Sequence, residues 1–178
     1  MGQVFRLPVL APTEPYPDAS GALDPPERAL LTAIRGWVND HRQGDDPLPR
    51  LCRTLDIDNV HDAAFSVDQL MFVVARPAHR QVAIHCPCCP ALSDDEKHLL
   101  NAASLTQAGR SDLAERTLRT ALLSAQGAEF APSPLEGLAE LFAEAKLLLR
   151  RRRTPAADHQ LSGAIEPWVP PAPSEAIH

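Results

Sequence analysis

Proline constrains this chain more than any other feature. Its ring locks φ and removes a backbone donor, so neither a helix interior nor a sheet interior accepts many. The sequence has 18 prolines in 178 residues, about twice the usual frequency of roughly 5%. Six lie in residues 1–26, five in residues 154–178, and seven in the 127 residues between. This distribution predicts a disordered Pro-rich tail over 1–23, a helical domain over 24–153 and an acidic, Pro-rich disordered tail over 154–178. Charge divides at the same places. Residues 1–26 carry one base and three acids, and residues 154–178 carry three acids and no base. Most of the formal net charge of −6 therefore belongs to the ends.

Between the tails the helix signals are dense. Asp24-Pro25-Pro26-Glu27 offers an N-cap acid, prolines at the first positions and a Glu three after the cap. Leu30, Leu31, Ile34, Trp37 and Val38 then recur at helical spacing, and Gly44 is a stop signal. Asp46-Pro47 opens a shorter helix with Leu48, Leu51, Cys52 and Leu55, and a third is expected from about Val60 to Ala75, ended by Pro77. Residues 81–84 read as a short extended piece, too small for a sheet. Ser93-Asp94-Asp95-Glu96 is a capping box whose helix closes at Gly109. Ser111 opens the next helix, expected to run to Gly127. A second capping box, Ser133 to Glu136, starts a last helix expected to reach Leu149 and end in Arg150-Arg151-Arg152-Arg153. The fold expected is all-α, an irregular bundle of about six helices.

Composition narrows the class. Hydrophobic residues make up 44% of the chain but aromatics only 4%, so a core must be built mainly from Leu, Ala, Val and Ile. No run of eighteen apolar residues is present, which excludes a membrane-spanning helix. Prolines interrupt the N-terminal segment, so it does not read as a signal peptide, and a cytoplasmic location is expected.

The residues best suited to chemistry are His85-Cys86-Pro87-Cys88-Cys89-Pro90. Thiolates and imidazoles are zinc ligands, and Cys86-x-x-Cys89 has the two-residue spacing of a zinc knuckle. His85, Cys88 and His98 are candidate further ligands, with His79 or Cys52 as substitutes. The cofactor expectation is thus none, or zinc at this segment. A Cys-x-x-Cys pair also cycles between dithiol and disulfide, but no βαβ pattern surrounds it, which disfavours a thioredoxin-like oxidoreductase. The alternative to metal is therefore thiol-redox sensing without catalysis.

Ala102, Leu105, Gly109, Ala114, Leu118 and Ala121 have a spacing that resembles one tetratricopeptide repeat. No other segment repeats it, and such arrays need about three units, so the pair is read as an ordinary antiparallel helix hairpin. The four arginines after Leu149 suit a helix C-terminus. Without interleaved aromatics they argue against a nucleic-acid surface. Neither a phosphate loop nor a catalytic serine or zinc-protease motif occurs, and no acid and base are paired by the sequence. The expected function is therefore a non-catalytic helical module that binds a protein or regulates one, with the metal or thiol regulator as the alternative. In the C-terminal tail, Ile165, Trp168 and Val169 form an apolar island among prolines. It is expected to be a short docking motif for this chain's own helices or for a partner.

Overall fold

The capping signals and apolar stripes form helices where the sequence places most of them. The computed structural model describes residues 14–56, 60–76 and 80–154. Its helices are α1 (Pro25–Gln43), α2 (Leu48–Asp56), α3 (Ala63–Ala75), α4 (Asp94–Gln107), α5 (Ser111–Ala121), α6 (Ala125–Phe130) and α7 (Pro132–Glu144). Two isolated bridges, Pro15 with Arg153 and Ala19 with Ala91, are the β-type pairings among the described residues. The architecture is all-α. None of the described helices is long and apolar enough to cross a membrane. His79 and the Ile165, Trp168 and Val169 island lie outside the described residues.

α4 is the central element. Leu99, Leu100, Ala102, Ala103 and Leu105 are buried, and so are Asp95, Glu96, Lys97, His98 and Asn101. A helix buried on every face must be surrounded; α4 packs on α1, α5 and α7. α5 is its closest partner, as the hairpin reading expects, and α3 links the α1–α2 pair to α7. Leu, Ala, Val and Ile dominate the single core, with Trp37, Met71 and Phe142 as its bulkier members. The Trp37 indole donates to Asp68 Oδ1 at 2.7 Å, which satisfies its buried N–H.

Helix ends explain the path of the chain. After α1, Gly44 has φ 81°, its N–H bonds the His41 carbonyl, and the Asp45 N–H reaches back to Asp40. Gly109, at φ 71°, ends α4 the same way through Thr106 and Leu105. This is the Schellman closure, whose left-handed residue is ordinarily glycine. α7 uses it too, but with Lys146 at φ 61°; the Lys146 N–H bonds Ala143 and the Leu147 N–H bonds Phe142.

That closure corrects the expected last helix. α7 stops at Glu144, and the chain from Leu147 runs extended across the body. Gln107 holds it: Leu149 N donates to Gln107 Oε1 at 2.7 Å, and Gln107 Nε2 donates to the Leu147 carbonyl at 3.0 Å. The four arginines therefore do not close a helix. Arg152 turns inward and is buried, while Arg150, Arg151 and Arg153 are exposed.

Two further differences have local causes. The helix expected from Ser111 to Gly127 divides. α5 ends at Ala121, and Ser124 caps a separate α6 by accepting the Gly127 N–H at 3.0 Å. At the N-terminus, the body begins earlier than residue 24. Tyr16 and Leu23 are buried in the core. Tyr16 N donates to the Arg153 carbonyl at 3.2 Å, Arg153 N to the Glu14 carbonyl at 2.8 Å, and Ser20 N to the Pro90 carbonyl at 2.7 Å. From Glu14 onward the segment expected as tail is packed against the extended run and the cysteine loop.

Candidate functional site

The cysteine segment connects α3 to α4, and a buried arginine sets its shape. Arg35 lies on α1, where its neighbours Ile34 and Trp37 anchor that face of the helix in the core. Its side chain makes four hydrogen bonds. Nε donates to Glu96 Oε1 at 2.7 Å and a terminal nitrogen to Glu96 Oε2 at 2.9 Å. The other two donors reach the carbonyls of Cys89 and Ala91, both at 2.6 Å. Glu96 completes the clamp by accepting from the backbone N–H of His85 at 3.0 Å and of Ser93 at 2.9 Å. Glu96 is fully buried and Arg35 almost so. Burial pushes the Glu96 carboxyl up, but the Arg35 bond, the two N–H donors and the guanidinium charge outweigh it and hold the group below its ordinary value. The bond to Glu96 likewise keeps Arg35 protonated.

A parallel clamp fixes the approach to the loop. Arg80 bonds both oxygens of buried Asp95, at 2.8 and 2.5 Å, and Asp95 accepts the Ala83 N–H at 2.7 Å. Residues 81–84 form neither helix nor strand, and Asp95 on α4 takes up the Ala83 N–H. Together the two acids at the start of α4 seat the whole connector.

On this seat the thiols point outward. Cys86 and Cys88 are exposed, and Cys89 is half-buried. Cys86 Sγ and Cys88 Sγ are 3.4 Å apart. The contact across the two-residue spacing is instead a backbone turn, from Cys89 N to the Cys86 carbonyl at 3.0 Å. The sequence spacing points to Cys86 with Cys89; the sulfurs in contact are those of Cys86 and Cys88. Pro87 between them confines the turn. The Cys88 thiol, the N–H groups of Cys88 and Cys89, and the charge of Arg35 all favour the Cys86 thiolate and set its pKa below the ordinary thiol value. Cys88, next to that sulfur, is pushed up.

The other expected ligands lie apart. His85 Nδ1 is 3.0 Å from the Ala91 carbonyl and 3.5 Å from Glu96. His98 is buried within α4, and Cys52 is half-buried on α2. Among the described residues no group of three or more His, Cys, Asp or Glu side chains is placed to hold a metal ion.

A second feature of the surface is apolar. A cleft of about 370 Å³ lies between α3 and α6, lined by Phe72, Val73, Arg76, Gln126, Gly127 and Phe130. Phe130 is 62% exposed, and Phe65, two turns before Phe72 on the same stripe of α3, is 54% exposed. The Arg76 guanidinium carbon stands 5.7 Å from the centre of the Phe72 ring, at cation–π distance. Sequence reading missed this cleft because it treated α6 as the end of α5; the available signal was Ser124, three residues before Gly127, a cap inside an apparent helix. No family model, curated protein or solved structure matches the chain.

Proposed function

We propose that this chain is a non-catalytic regulatory module that takes up a short apolar, acidic peptide segment in the cleft between α3 and α6. One observation carries the reading: Phe130 stands more than half exposed beside Phe72 and Val73 in a walled apolar cleft. Three of the five phenylalanines lie on this face, in a chain with few aromatics. Exposed aromatic clefts of this kind mark docking sites for protein segments, with buried aromatics as anchors. Arg76 at the edge favours a segment with a carboxylate next to its apolar anchors.

The chain carries such a segment. Ile165, Trp168 and Val169 flank Glu166, and residues 154–178 hold three acids and no base. Trp168 is 14 residues beyond Thr154; at roughly 3.3–3.6 Å per residue that is about 46–50 Å of reach. A body of this size has a radius of gyration of about 14 Å, so it is roughly 36 Å across. The reading takes this segment as the resident occupant, which a partner segment of the same chemistry would displace.

The fluorescence of Trp168 tests it. Subtracting the spectrum of Trp168→Phe from that of the full chain isolates its emission and leaves the buried Trp37 untouched. Blue-shifted emission that does not change on dilution, and that moves toward the water value in Phe130→Glu, is the expected result. Water-like emission that Phe130→Glu leaves unchanged would overturn the reading.

A further inference from the structure

We propose that Cys86 and Cys88 are a dithiol–disulfide couple whose substrate is a low-molecular-weight disulfide of the glutathione type, with Cys86 as the attacking sulfur and Cys88 as the resolving one. The proposal is independent of the cleft between α3 and α6. It rests on the placement of three groups: two exposed sulfurs 3.4 Å apart and a guanidinium beneath the loop that carries them.

Disulfide formation requires the sulfurs to close to about 2.05 Å, which here is a movement of roughly 1.4 Å. Side-chain torsion is the motion the proposal assigns to that step. The backbone is held: Arg35 grips the carbonyls of Cys89 and Ala91, Glu96 holds His85 N, and Ser20 and Asp18 bond Pro90 and Leu92 from the N-terminal segment. Such a clamp keeps the sulfurs together in the reduced chain, so the resolving step is intramolecular from a prepared geometry. Cys89 takes no part, because its carbonyl is tied to Arg35 and its thiol is half-buried.

The chemistry balances with the small disulfide as oxidant. The Cys86 thiolate attacks one sulfur of RSSR, forming a Cys86–SR mixed disulfide and expelling RS⁻. Cys88 gives its proton to solvent, and its sulfur attacks the Cys86 sulfur. That step forms the Cys86–Cys88 bond and expels the second RS⁻. Two electrons pass from the protein dithiol to RSSR. The two protons from the thiols are taken up by the two RS⁻, giving two RSH. Directionality follows from the donors: the N–H groups of Cys88 and Cys89 and the Arg35 charge act on the Cys86 sulfur, and a nucleophile is selected by its thiolate fraction and access. A disulfide across one intervening residue closes a small ring, so it is readily reversed by an excess of small thiol.

The experiment exposes the full chain to oxidised glutathione at neutral pH, traps remaining thiols by alkylation and maps the products by peptide mass spectrometry. In the native chain the bond should map to Cys86–Cys88 and vanish on adding reduced glutathione. Cys88→Ser should stop at a glutathione adduct on Cys86. Cys86→Ser should react at Cys88 at least about tenfold more slowly, as a thiol with a smaller thiolate fraction does. Cys89→Ser should behave as the native chain. A bond mapping to Cys89 or joining two chains would overturn the proposal. So would a Cys86→Ser variant that reacts as fast as the native chain, or a native chain protected from oxidation by bound zinc.

Discussion

Two arginine–glutamate pairs hold two different parts of this molecule. Arg35 with Glu96 lies under the cysteine loop; Arg152 with Glu27 lies where the N-terminal segment meets the extended run after α7. Their cores are alike. Arg152 Nε donates to Glu27 Oε1 at 2.8 Å and a terminal nitrogen to Oε2 at 3.1 Å, as Arg35 does to Glu96. Both glutamates are third residues of capping boxes: Glu27 accepts the Asp24 N–H at 2.9 Å, and Glu96 accepts that of Ser93. The surroundings differ. Around Arg152 the remaining contacts are other carboxylates, Asp24 and Glu14, both solvent-accessible, with the Tyr16 ring at 5.9 Å. Around Arg35 they are backbone carbonyls of the thiol loop. One capping motif, repeated, thus closes the chain ends in one place and shapes a chemically reactive loop in the other.

The largest effect should separate the pairs. Glu96→Ala leaves Arg35 buried with no carboxylate and removes acceptors for His85 and Ser93. We expect it to lower stability by about 3–5 kcal/mol. Glu27→Ala should lower it by only about 2 kcal/mol, because Asp24 and Glu14 remain beside Arg152 and buried charges are tolerated when paired. Urea denaturation of both variants measures this, and equal losses would break the comparison. Acid sharpens it. Glu96 is held below its unfolded value, so its contribution is present above about pH 4.3 and is lost as pH falls below that. Stability should therefore fall less steeply from pH 5 to 3 in Glu96→Gln than in the native chain.

The sequence shows both of these capping boxes but neither arginine partner, and the box expected at Ser133–Glu136 does not form, because α7 starts at Pro132 with Ala131 as its cap. A capping box is local, four residues with a defined chemistry. Arg35 and Glu96 are 61 residues apart, and Arg152 and Glu27 are 125 apart, so no pattern along the chain joins them. The same limit explains the cysteines. Spacing alone points to Cys86 with Cys89, whereas the 3.4 Å sulfur contact of Cys86 with Cys88 belongs to a local turn that spacing does not describe. Tyr16 shows a different limit. Proline density marks where helices stop, which is not where the body stops. An extended segment can still bury an aromatic ring.

Next in size is the loss of that ring. Tyr16→Ala should lower stability by about 3 kcal/mol, the cost of truncating a buried aromatic. Trimming the chain to residues 22–155 removes Tyr16 together with the Ser20 bond to Pro90, so its thermal midpoint should drop by well over the few degrees expected of an unpacked tail. Tyr16→Ala falls at the Arg152 end alone, whereas the trim also releases Pro90 and Leu92 of the cysteine loop. Tyr16→Ala should leave the alkylation rate of Cys86 unchanged, whereas Glu96→Ala should alter it. A Tyr16→Ala chain with altered thiol reactivity would show that the two ends are one unit.

The smallest effect concerns Lys146, whose turn aims the extended run so that Arg152 meets Glu27. A side chain at φ 61° crowds its own carbonyl, a strain of about 1–2 kcal/mol that glycine avoids. Glycine is also freer in the unfolded chain, which offsets part of the gain by up to about 1 kcal/mol. Lys146→Gly should therefore stabilise the protein by about 0.5 kcal/mol, with the sign opposite to Gly44→Ala and Gly109→Ala, which force a side chain into the same region at the ends of α1 and α4. The closures after α1 and α7 would then differ only in the residue that occupies them. A loss of stability in Lys146→Gly would mean that the lysine side chain, rather than the backbone bonds to Ala143 and Phe142, directs the chain toward Glu27.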